Sequence, residues 1–158
     1  MHYSSVNKQI RKIAAIIFAM YFSYLLYRLF FFAYGQYYRF SVDEIRYNLI
    51  PFKTISSYIV GISNYELDVW FFNLFGNVLA FVPMGFLLPL IINELRSVKA
   101  IIFTTFITST ILEVVQLILR LGISDIDDIV LNTLGGLIGY LLLDLIQKVL
   151  FSRSKGQG

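Results

Sequence analysis

The stretch AIIFTTFITSTILEVVQLILR, residues 100–120, decides the fold. Its apolar run of about 20 residues matches the ~30 Å of hydrocarbon that a helix rising 1.5 Å per residue must cross. Thr105, Ser109, Glu113, Gln116 and Arg120 follow one another at intervals of 4, 4, 3 and 4, which places all five on one helical face. Thr104, Thr108 and Thr110 fall elsewhere, so hydroxyls alone do not define that face. Glu113 does, because an acidic side chain inside a span costs roughly 2 to 3 kcal/mol even on a lenient insertion scale. It must face protein or water, so the segment predicts a membrane helix and also a bundle around it.

The rest of the chain agrees. Hydrophobic residues make up 58% of the 158, and the mean hydropathy of +0.72 is too high for a soluble domain of this size. Three more apolar runs, at about 13–33, 71–92 and 129–150, join 100–119 to predict an all-α, integral membrane four-helix bundle in a single domain over residues 1–158. Lys8, Arg11 and Lys12 precede the first run, which is too long for a signal-peptide core and has no small-x-small cleavage pattern. It reads as a retained span.

Charge gives an orientation. Lys8, Arg11, Lys12, Arg96, Lys99, Lys148, Arg153 and Lys155 flank the spans on one side, and Arg39, Arg46, Lys53 and Arg120 on the other. Eight against four puts both termini in the cytoplasm of a multi-pass cell-membrane protein. The basic residues sit at segment ends and form no face for nucleic acid. With no Cys and only His2, the chain offers no thiol chemistry and no His-rich metal site. No metal, cofactor or catalytic residue is assigned.

The connection from Gly35 to Trp70 holds Tyr37, Tyr38, Tyr47 and Tyr58 among mixed charges, as suits an outer interfacial loop. Ile55, Ile59 and Ile62 recur at helical spacing after Pro51, which fits either a short interfacial helix or an irregular loop. The other connections are short, so successive spans are expected to pack as antiparallel hairpins.

The fourth span opens with Ser124, Asp125, Asp127 and Asp128, and Asp125, Asp128, Asn132, Gly135 and Gly139 then share a face. Ser124 with Asp127 reads as a capping box. Capping does not account for Asp128 with Asn132 one turn deeper. Gly135, Gly136 and Gly139 permit close helix approach, as does Gly76 beside Ala80 in the second span. Asn73 and Asn77 share a face of that span, just above the kink expected at Pro83. Arg28, between Tyr24 and Tyr27, is either a snorkelling residue or a partner for Glu113 or Asp128. With odd spans ending outside, Arg28, Asn73, Asn77, Glu113, Gln116, Arg120, Asp125, Asp128 and Asn132 all fall in the outer half. Glu113 and Asn132 each lie about 10 Å below the span ends, so the expectation is an outward polar pocket with these two level.

The segments Asn48-Leu-Ile-Pro-Phe52, Asn77-Val-Leu-Ala-Phe-Val-Pro-Met-Gly85, Glu113-Val-Val-Gln116, Asp125-Ile-Asp-Asp128 and Asn132-Thr-Leu-Gly-Gly136 resemble, in order and spacing, the VanZ-like family. The resemblance runs from the first span to the fourth. It maps the family's characteristic positions onto Asn48, Pro51, Asn77, Pro83, Gly85, Glu113, Gln116, Asp125, Asp128, Asn132 and Gly136. The family takes its name from a teicoplanin resistance protein, and the resemblance implies a bacterial cell-envelope role, carrying a phenotype and no mechanism.

Three functions fit these residues. One is a pocket, lined by Arg28, Asn48, Asn77, Glu113, Gln116, Asp125, Asp128 and Asn132, that binds a lipid-linked wall precursor or another amphiphile and lowers susceptibility to teicoplanin-type lipoglycopeptides. Another is an enzyme acting on a lipid headgroup, with Glu113 or Asp128 as general base or with Asp125 and Asp128 holding a divalent ion. The third is a small proton-coupled transporter, a homodimer through the glycine face, in which Glu113 titrates.

Overall fold

The computed structural model describes residues 7–32, 46–61, 67–119 and 123–155. The first span, α1 (Lys8–Tyr27), is capped by the Asn7 side chain, which accepts the Gln9 N–H at 2.9 Å, and continues as a π-helical turn, Arg28–Phe32. A short strand β1 (Arg46–Asn48) leads to α2 (Lys53–Val60). The interfacial segment is therefore helical after Pro51, and Ile62 lies outside the described residues. The second span, α3 (Leu67–Ile91), continues through Pro83 and Pro89. After a 3-10 turn, Asn93–Leu95, come α4 (Val98–Leu119), β2 (Ile123–Asp125) and α5 (Ile126–Lys155).

Among the described residues, four helices are long and apolar enough to cross a membrane: Lys8–Phe31, Asn73–Ile91, Val98–Leu119 and Ile126–Leu150. These match the expected spans to within a few residues, and the chain is a multi-pass, all-α membrane protein. Large apolar side chains such as Met20 and Ile118, 69% and 72% exposed, cover the outside of the bundle, as a lipid solvent requires.

The spans do not simply pack in sequence order. Helix α1 lies on α3, α3 packs most extensively on α5, and α5 packs on α4. Helices α3 and α4 are joined by a short turn yet touch little, which corrects the hairpin expected there, whereas α4 and α5 do pack on each other. The reason is that the glycines of α5 let it wedge between them. A Cβ at Gly135 or Gly139 would run into the carbonyls of Val78 or Val82 on α3, and one at Gly136 into Thr105 on α4. Gly85 meets Gly136 backbone to backbone. The glycine face is thus used within the chain. Gly76 makes no such approach, since a Cβ there would meet nothing within 4 Å.

Around this contact lies a core of Phe81, Met84, Leu88, Ile101, Leu112 and Tyr140. The Tyr140 hydroxyl donates to the Arg96 carbonyl at 3.2 Å, tying α5 to the α3–α4 turn. The Tyr21 hydroxyl donates to the Ala80 carbonyl at 2.6 Å and fastens α1 to α3. At the same end as the turn, Arg11 donates to the Asn93 side chain at 2.8 Å.

Candidate functional site

The polar residues gather at the end of the bundle opposite that turn, where α2 comes to rest. Strand β1 pairs in parallel with β2, with Asn48 opposite Asp125. Asn48 makes the corner: its Oδ1 accepts the Ile50 N–H at 3.2 Å, and its Nδ2 donates to Thr54 Oγ1 at 3.0 Å and Asp125 Oδ1 at 3.1 Å. Phe52 takes the left-handed conformation, φ 62°, to turn the chain into α2.

The four carboxylates of the site have different tasks. Asp127, fully buried, accepts the backbone N–H groups of Phe52 at 2.6 Å, Thr54 at 2.8 Å and Ile55 at 3.1 Å. It neutralises the orphan donors at the start of α2. Asp125 caps α5 instead, its Oδ1 accepting the Asp127 N–H at 2.9 Å, while its Oδ2 accepts the Thr54 hydroxyl. This corrects the capping-box reading of Ser124 with Asp127. Glu113 serves the start of the fourth span from the neighbouring helix, its Oε2 accepting the Asp125 N–H at 3.0 Å. Asp128 accepts from Asn77 Nδ2, which also donates to the Asn73 carbonyl at 3.2 Å.

The face of α4 is as the spacing requires: Thr105, Ser109 and Glu113 are buried and Gln116 is half-buried. Its register against α5 differs from the expectation by about a turn. Asn132 Nδ2 donates to Ser109 Oγ at 2.8 Å, so Asn132 is level with Ser109, and Glu113 meets the first residues at the start of α5. Arg28 is exposed on the π-helical turn. Arg120 and, within the Gly35–Trp70 connection, residues 35–45 and 62–66 lie outside the described residues. Among the described residues, no group of three or more His, Asp or Glu side chains is arranged to hold a metal ion.

Sequence reasoning missed two partners. Thr54, which links Asn48 to Asp125, carries no signal of its own, being a hydroxyl on a polar stretch. The role of Asp127 toward α2 was hidden because a carboxylate at a helix start is explained by its own helix. What remains is a site rich in acceptors. Asp125 and Asp127 are saturated by structural donors, whereas Asp128 and the Asn132 amide oxygen are not.

The family described as VanZ/LLP1 matches residues 12–147, which reaches from the first span into the fourth and takes in every residue of this site. Protein VanZ of Enterococcus faecium is 27% identical over 105 residues, covering 66% of this chain and 65% of that protein. The chain therefore spans just under two thirds of the length of that curated relative. No solved structure matches.

Proposed function

Because the chain belongs to the VanZ/LLP1 family, we propose that it is a bacterial cell-envelope protein whose outward-facing polar site binds a lipid-linked or amphiphilic molecule and lowers susceptibility to teicoplanin-type lipoglycopeptides. The observation that carries this reading is the meeting of Asn77, Glu113, Asp128 and Asn132, from three different spans, at the end of the bundle where α2 docks. Buried carboxylates and amides are expensive in hydrocarbon, and apolar side chains would hold three helices together at lower cost. Their meeting at one end of the bundle supports a ligand. The excess of basic residues at the opposite ends of the spans supports placing this level outside, with both termini cytoplasmic. Lipid-tailed glycopeptides act on wall precursors on that side.

The test is teicoplanin susceptibility of a sensitive bacterial host expressing the chain, compared with Glu113→Ala, Asp128→Ala and Asn132→Ala at equal membrane levels. Wild type raises the inhibitory concentration and the three variants return it to the host value. Retention of full protection by all three would remove the site from the mechanism.

A further inference from the structure

We infer that Glu113, Asp128 and Asn132, gathered where α4 and α5 meet beside α3, recognise a primary ammonium group. The inference rests on the amphiphile-binding reading above and deepens it. Two rungs join α4 to α5: Ser109 to Asn132 at 2.8 Å, and Glu113 to the Asp125 N–H at 3.0 Å. Asp128 stands between them on α5, one turn from Asn132, and is held by Asn77 of α3.

Donors run short at this level. Asn132 is 7% exposed, and its Oδ1 is buried without a hydrogen-bond partner. Asp128 takes one hydrogen bond, from Asn77, for two oxygens. The charges acting on Asp128 are those of Glu113, Asp125 and Asp127, all of its own sign. An orphan buried acceptor costs free energy, and so do like-charged carboxylates gathered with no cation between them among the described residues. One group answers both deficits. An ammonium brings three donors, no acceptor and a positive charge, matching two carboxylates and one amide oxygen. A divalent metal ion needs six or more oxygens at ~2.0 to 2.6 Å, and the acidic side chains of the described residues do not converge in that way. Burial increases along these polar groups: Asn73 is exposed, Asn77 and Asp128 are half-buried, and Asn132 is buried.

The test uses the full chain in phosphatidylcholine nanodiscs, with the midpoint of thermal unfolding read against added probe. Dodecylamine raises the midpoint saturably, its neutral acetamide does not, and Asp128→Asn weakens the amine's effect at least tenfold with helicity unchanged. Lysophosphatidylethanolamine and free ethanolamine then assign the source: activity of the lipid alone makes the ammonium lipid-borne, and equal activity makes it a soluble amine, both retaining the site. Equal stabilisation by dodecylamine and its acetamide overturns the ammonium while keeping an amphiphile pocket. No stabilisation by either overturns both readings. Magnesium reproducing the amine's effect, and losing it in Asp128→Asn, replaces the ammonium with a metal. Should Asp128→Asn fail to fold, the comparison of amine with acetamide on the wild-type chain decides the matter by itself.

Discussion

The carboxylate of Asp127 accepts the backbone N–H of Phe52 at 2.6 Å, across 75 residues of chain. Two helix starts therefore share one acidic segment: Asp125 serves its own helix, α5, and Asp127 serves α2. The segment carrying α2 is held to the bundle by charge-assisted hydrogen bonds and a three-residue parallel ladder, and α2 has no buried apolar side chain of its own.

Asp127→Ala should release it. Three partly buried N–H groups lose their acceptor, for a cost of about 2 to 4 kcal/mol, and Asp127→Asn should retain part of the docking through its amide oxygen. Hydrogen exchange over residues 53–61 reads the release directly. Protection that survives Asp127→Ala would show that the ladder and Asn48 suffice.

Gly136→Ala should be among the most damaging small changes, because the added methyl meets Thr105 while the backbone already touches Gly85. Overpacking of this kind costs about 1 to 3 kcal/mol. Gly76→Ala, with nothing within 4 Å of the new methyl, should stabilise by about 0.5 to 1 kcal/mol through helix propensity. Unfolding of both variants in mixed micelles gives the comparison, and similar effects would refute the wedge role of Gly136.

The bond from Asn132 to Ser109 should contribute modestly. Interhelical hydrogen bonds in membranes average about 0.6 kcal/mol in double-mutant cycles. The cycle of Ser109→Ala with Asn132→Ala should give a coupling of that order, and a value near zero would mean the pair is held by packing alone.

Topology is open to direct labelling, because the chain has no cysteine. A membrane-impermeant maleimide added to intact cells should label Ile59→Cys, on the exposed side of α2, and spare Lys99→Cys at the opposite end. The reverse pattern would invert the orientation and remove the envelope argument.

The spans were legible because each satisfies its own backbone, so length and hydropathy suffice to find them. The buried face of α4 was legible for a related reason: helical spacing alone puts Thr105, Ser109 and Glu113 together. Glycine spacing on α5 announced a close approach without saying to what, and the partner is α3 rather than a second copy of the chain. The docking of α2 was not legible. It depends on residues more than seventy positions apart, Thr54 with Asp125 and Asp127, and no local period encodes such a pairing. Depth along the helices misled by a turn, because equal counts from span ends assume ends at equal heights, whereas the Ser109 to Asn132 bond sets the true register.

The parallel ladder between β1 and β2 also orders events during synthesis. Arg46–Asn48 leaves the ribosome long before Ile123–Asp125, its partner, and Asp127 follows later still. Until then α2 has no cap for its first turn, whatever the state of the first three spans. A nascent chain stopped after α4 should therefore carry an undocked outer segment open to a bound chaperone or protease, and insertion of α5 is the step that withdraws it.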